Sequence, residues 1–191
     1  MKVFQLAGSL RTETGKKAAK AIRNNNSIPC IIYGGETVSQ FTVEKEAVRK
    51  LIYSPEIFLV ELTIDGKTCK AIMKDLQFHP VTDAVLHIDF LEVFEEKPIV
   101  IDVPVVLDGL AEGVKAGGKL SLEMRKLRVK ALYNNVPEKL HINIESLGLG
   151  KTIQVGEVAF ENLEVLSAKN NVICAVKLTR AARGAAAKAG K

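Results

Sequence analysis

The segment HPVTDAVLHIDF, residues 79 to 90, holds two histidines, two aspartates and a proline within twelve positions. These are the side chains of proton transfer and metal ligation, so catalysis and metal binding are the first chemistries to weigh. Neither fits the spacing. His79 and His87 flank a predicted turn, and neither a tetrahedral zinc set nor a two-histidine, one-carboxylate set assembles without distant partners. No serine stands in a G-x-S-x-G context that would make it a nucleophile for a histidine. If 85 to 94 is a strand, alternation puts Leu86, Ile88 and Phe90 on one face and His87 with Asp89 on the other. The apolar trio is then core. His87 and Asp89 stand side by side outside, as surface decoration or as a polar recognition pair with Tyr33 or basic groups for neighbours.

A second group lies in SLRTETGKKAAKAIRNNNSIPCIIYGG, residues 9 to 35. Arg11, Lys16, Lys17, Lys20 and Arg23 fall in a glycine-punctuated loop and a short helical turn over 18 to 23, a layout that spaces cations along a phosphate backbone. A solvated basic face has the same appearance. GLGKT, residues 148 to 152, is no phosphate loop, because G-x-x-x-x-G-K-[ST] needs glycine where this chain has Glu145.

The elements that must carry these residues read as strands. Period-two alternation marks 2 to 10, 28 to 33, 37 to 42, 57 to 64, 68 to 78 and 85 to 94, with Asp65-Gly66 as a hairpin turn. One longer helix is predicted over EKEAVRKLIY, residues 44 to 53, ended by Ser54-Pro55. Six short strands with so little helix favour a small barrel, since closure removes exposed edges. Charge and proline interrupt the pattern at 95 to 104, which puts a domain boundary near residue 97. A second β-rich series follows at 99 to 107, 126 to 133, 140 to 144, 152 to 155, 163 to 166 and 172 to 178, with the glycine-rich stretch 108 to 120 read as a long structured loop rather than a helix. The organisation predicted is mainly β: a barrel domain over 1–97, a β-rich domain over 98–178 and a disordered, basic, alanine-rich tail over 179–191.

Composition narrows the partners. The net charge of +5 is concentrated at the ends: residues 1 to 40 carry six Lys/Arg against two acids, and residues from 177 on carry five against none. That suits a polyanionic partner. Aromatic residues are 5% of the chain and tryptophan is absent, which argues against an aromatic sugar cleft. Cys30, Cys69 and Cys174 are odd in number and embedded in apolar runs, the pattern of free thiols in a reducing compartment. The start MKVFQLAGSL is too short an apolar run for a signal peptide, and no stretch approaches the roughly 18 apolar residues of a membrane helix. A cytosolic protein without membrane attachment is expected.

Three blocks together resemble one family, the bacterial large-subunit ribosomal protein numbered twenty-five, also described as the general stress protein Ctc. They are Arg11, Gly15 and Lys16 leading to IPCIIYGG at 28 to 35; KDLQFHPVTDAVLHIDFLEV at 74 to 93; and GVKAGGKL at 113 to 120 followed by LHINIESLGLGKTIQV. The likeness spans nearly the whole chain except the tail and is to the long, two-domain form. It implies a non-enzymatic protein of the large ribosomal subunit whose six-stranded N-terminal barrel binds 5S ribosomal RNA. It further implies 23S ribosomal RNA and ribosomal proteins as possible neighbours, no cofactor, and a monomer off the ribosome. The RNA-binding positions it implies are Arg11, Lys16, Lys20, Arg23, Tyr33, His87 and Asp89; Lys17, from the basic segment, and Gln77 are counted with them as RNA-binding candidates. A stress-associated ribosome-binding protein acting mainly through protein contacts is the alternative.

Departures from the family pattern matter. Lys17 stands where a second glycine is frequent, and Lys20-Ala21 where an arginine pair is frequent; lysine keeps the charge without the planar fork. Asn24, Asn25 and Asn26 replace a turn often built with glycine, and asparagine tolerates positive φ. The physics of the partner is compatible with such a surface. A-form RNA hides base edges in a deep major groove, so a protein reads phosphates, 2'-hydroxyls and an irregular minor groove. Cations suit the first, and His87, Tyr33 and Asp89 the others.

Overall fold

The computed structural model describes residues 1–35 and 37–180. The chain divides into two compact units, one of Met1–Ile99 with Leu132–Asn134, the other of Val100–Ala131 with the described residues from Asn135 onward. From residue 181 on, the expected tail lies outside the described residues.

In the first unit six strands follow the alternation of the sequence: β1 (Lys2–Leu10), β2 (Ser27–Tyr33), β3 (Ser39–Glu44), β4 (Phe58–Ile64), β5 (Lys67–Phe78) and β6 (Val85–Glu92). They close into a barrel in the order β1-β3-β2-β6-β5-β4, with β4 returning to β1. The β1–β4 and β2–β6 pairs are parallel and the others antiparallel. Alternate side chains of every strand fill the interior, with Phe41 and Phe90 fully buried and their ring centroids 5.7 Å apart. Gly8 makes room for the first of these, since a Cβ there would lie 2.7 Å from the Phe41 ring. The Asp65-Gly66 hairpin forms as predicted: Ile64 pairs with Lys67 and both turn residues have positive φ, 46° and 83°.

Two local expectations change. α1 (Lys16–Asn24) is a full nine-residue helix lying against β2, longer than the turn predicted over 18 to 23. α2 (Arg49–Tyr53) has only five residues, because Val43 is buried opposite Ile28 and keeps the chain extended through Glu44. The Lys45 amide still donates across the ladder to Asn26 O at 3.0 Å, and 45–48 form turns.

β6 also breaks its own alternation. Gln77 pairs with His87 but Phe78 pairs with Val85, so Leu86 is an extra residue at a β-bulge. Val85, Ile88 and Phe90 are buried while Leu86 is half-buried, so the bulge displaces the first member of the expected core trio.

The second unit pairs a four-stranded sheet with a three-stranded one. Its strands are β7 (Ile99–Asp108), β8 (Lys119–Leu122), β9 (Lys126–Ala131), β10 (Leu140–Asn143), β11 (Thr152–Gln154), β12 (Glu164–Val165) and β13 (Val172–Lys177). The sheet orders are β10-β7-β9-β12 and β11-β13-β8. The stretch read as a loop over 108 to 120 contains a helical turn, α3 (Glu112–Lys115), and the start of β8, which alternation did not reveal. Gly113 explains part of this: its amide donates to Leu147 O at 2.9 Å, and a Cβ would lie 2.6 Å from the Gly148 backbone. The glycine serves a close backbone approach rather than flexibility. GLGKT runs into strand β11, where a phosphate loop needs a helix.

Candidate nucleic-acid interface

α1 carries the cations. At 100° per residue Lys16, Lys20 and Arg23 fall within about 60° of one another, with Lys17 flanking them. Ala18, Ala19 and Ile22 are half-buried beneath, while Lys16, Lys17 and Lys20 are exposed. The helix begins at Gly15, whose φ of 100° and ψ of 175° belong to glycine alone. No side chain caps that end and no acid occupies the first turn, so its free amides add positive character beside Lys16 and Lys17.

Arg23 joins this helix to the barrel. Its Nε donates to the carbonyl of Leu86, 63 residues away in sequence, at 3.0 Å. That carbonyl belongs to the bulged residue, which lacks a paired position on β5. A second tie comes from Lys45, whose Nζ donates to Arg23 O at 3.0 Å. The C-terminal end of the cationic stripe is thereby tied to β6 through Arg23, one residue from His87.

The strand register sets out the rest of the surface in transverse rows. Gln77 pairs with His87, and Asp75 pairs with Asp89, on β5 and β6. The second row continues through Ile31 and Gln40, and the Arg11 amide donates to Gln40 O at 2.9 Å. At about 4.8 Å per strand, Arg11 is roughly 14 Å from Asp89 along that row. Its Nε donates to Glu13 O at 2.6 Å, which fixes the side chain to its own loop. Tyr33 lies two residues past Ile31 on the same face of β2, diagonal to Asp89.

His87 and Asp89 form a pair: Nδ1 to Oδ1 is 2.7 Å, and the two side chains are 26% and 27% exposed. With Nδ1–H donating to the carboxylate, Nε2 is the ring atom left for a partner, as an acceptor when the ring is neutral. The Tyr33 hydroxyl is pushed above its ordinary range of 10.0 by burial first, then by the charges of Asp89 and Asp75. It therefore remains a donor at neutral pH. His79 does something different: its Nδ1 accepts from the Val81 and Thr82 amides at 3.3 and 3.2 Å, capping the turn before β6.

The barrel thus brings Lys16, Lys17, Lys20 and Arg23 on a helix beside Tyr33, Gln77, His87 and Asp89 on strands, with Arg11 at the margin. Asp75 and Gln40 also occupy these rows, and reading residue types did not single them out. Asp75 escaped because its place depends on a second bulge, at Lys74, that periodicity does not reveal. Among the described residues no group of three or more His, Cys, Asp or Glu is placed to hold a metal ion.

Comparison with known proteins adds a separate line. Residues 6–90 match the family model described as Ribosomal L25p family, and residues 98–180 that described as Ribosomal protein TL5, C-terminal domain. A protein of Porphyromonas gingivalis is 66% identical over 98% of this chain and 99% of its own length. One of Parabacteroides distasonis is 63% identical over 98% and 100%, and one of Bacteroides fragilis 60% identical over the full length of both. All three bear the name Large ribosomal subunit protein bL25.

Proposed function

From the premise that this chain belongs to the ribosomal L25p family, we propose that its barrel holds 5S ribosomal RNA through α1 and the outward rows of β5 and β6. As a member of that family it is a structural, non-catalytic protein of the large ribosomal subunit, associated with the ribosome in the bacterial cytoplasm. The observation that carries the RNA reading is the Arg23–Leu86 bond, which sets a cationic helix beside hydrogen-bonding side chains from the far end of the domain.

The two parts suit the two demands of RNA. Lys16, Lys17, Lys20 and Arg23 match phosphates and supply affinity that depends on salt. Tyr33 donates, Asp89 accepts, and Gln77 does both, with His87 Nε2 as a further polar contact, so the strand face can read 2'-hydroxyls and base edges of a widened minor groove. Closure leaves the barrel itself no free strand edge for pairing with a second copy.

The test is a titration of the purified chain with 5S ribosomal RNA at several salt concentrations. Four or five neutralised phosphates at about 0.7 to 0.9 each give a slope of roughly 3 to 4.5 in log affinity against log salt. Absence of a saturable complex at moderate salt would sink the proposal. So would equal affinity for 5S ribosomal RNA and an unrelated duplex.

A further inference from the structure

The register between β5 and β6 shifts twice. Through Met73 and Phe90 the pairing is regular; it resumes as Asp75 with Asp89, Leu76 with Ile88 and Gln77 with His87; it then returns to the first register at Phe78 with Val85. Lys74 is the extra residue on β5 and Leu86 the extra residue on β6, so two compensating bulges bracket three pairs. Without them Lys74 would face Asp89, Asp75 would meet Ile88 in the core, and Leu76 would meet His87 outside. The bulges sort apolar with apolar and polar with polar.

That sorting has an unfavourable result. A carboxylate faces a carboxylate across the ladder where the unbulged register would have set a lysine, and like charges directly opposite destabilise a sheet. Among the described residues no lysine or arginine forms an ion pair with Asp75 or Asp89. Asp75 is exposed, and its Oδ1 accepts the Leu76 amide at 2.8 Å, which orients the group. Both aspartates act on Tyr33, raising its hydroxyl, so the three groups share one locality. Bulges commonly re-aim side chains beside functional sites.

We propose that Asp75 is a specificity-determining residue of the RNA interface, pairing with Asp89 to accept hydrogen bonds from donors on the minor-groove edge, guanine amino groups or 2'-hydroxyls. The proposal rests on the RNA-binding reading above. Carboxylates are acceptors only, so they repel phosphate oxygens and reward a surface that presents N–H or O–H at that place. Asp75 therefore lowers affinity for RNA in general while raising it for the RNA whose donors match.

Asp75→Asn tests this, since it keeps the shape and one acceptor while removing the charge. Affinity for 5S ribosomal RNA should fall on the order of tenfold, as for loss of a charged hydrogen bond, while affinity for an unrelated duplex holds or rises. A carboxylate that merely sits on the surface predicts that both affinities rise together, so an unchanged or improved ratio overturns the proposal. Inosine for guanosine, and 2'-deoxy for ribose, substituted singly in the RNA identify the donor: at the contacted position the wild-type loss should vanish in Asp75→Asn. Additive losses at every position also overturn it. Asp75→Ser should show the same loss of ratio, with thermal melting confirming that both variants fold. Wild-type protein that fails to bind 5S ribosomal RNA overturns both readings; a wild type that binds with an unaltered Asp75→Asn ratio overturns only this one.

Discussion

Arg23→Ala removes two contributions with separate readouts. The first is structural: the guanidinium Nε donates to the Leu86 carbonyl at 3.0 Å in a half-buried setting. Hydrogen bonds to charged groups contribute about 1.5–3 kcal/mol when buried, and partial solvent exposure reduces this to about 1–2 kcal/mol. A domain of this size loses about 4–8 °C of melting temperature per kcal/mol, so the barrel's melting temperature should fall by roughly 4–16 °C. The second contribution is one neutralised phosphate, whose loss lowers the salt slope of RNA binding by about 0.7–0.9.

Arg23→Lys separates the two. Lysine keeps a positive charge at that point of the stripe but lacks the planar fork, so the Leu86 carbonyl loses its well-placed donor. Thermal melting should therefore resemble the alanine variant, while the salt slope should resemble wild type. Circular dichroism melts and salt-dependent filter binding give the two numbers on the same preparations. An alanine variant melting within a degree of wild type would refute the clamp. A lysine variant that loses slope as alanine does would refute Arg23 as a phosphate contact through charge.

Two further outcomes follow from the same geometry. Gly15→Ala meets no atom within 4 Å but forces alanine to φ 100°, a cost of about 1–3 kcal/mol that should fray the first turn of α1; because α1 buries no residue fully, RNA affinity and amide protection over 16–19 should fall while the barrel's melting temperature changes little. Cys30 is buried, and desolvation, then the charge of Asp89, holds its thiol far above the ordinary value of 9.0; the unfolded thiol ionises first, so stability present at neutral pH should decline as pH rises past 9, less steeply in Cys30→Ala, with Cys30 inert to thiol reagents in the native protein.

Much of the barrel was legible because alternation is a local signal. β3 carries it cleanly, and Asp65-Gly66 announces its turn by residue type. What failed did so where a tertiary demand overrides the period. Val43 holds β3 extended into a stretch with helical spacing, Gly113 admits a neighbouring backbone and allows a helical turn in a presumed loop, and β8 starts inside that same glycine-rich stretch, whose composition reads as loop. The candidate surface divides along the same line. The cations of α1 stand out by charge, and His87 with Asp89 by alternation within one strand. Their meeting, and the presence of Asp75, depend on cross-strand register, which one strand's sequence does not contain.

The bulges at Lys74 and Leu86 tie these levels together. Each adds one residue, and the two cancel, so the barrel closes with its register intact on both sides. Between them the outward side chains become acceptors, and the carbonyl at Leu86 becomes the anchor for Arg23. The bulge that disrupts the strand thus positions the helix, and the helix supplies the charge that an acidic strand face lacks. Salt should then weaken the α1 contribution and spare the discrimination made by β5 and β6, because screening acts on exposed charges more than on directed hydrogen bonds. A specificity ratio that stays nearly constant while absolute affinity drops with salt is the signature of that division, and Arg23, anchored in one part and charged for the other, is the residue whose loss should disturb both.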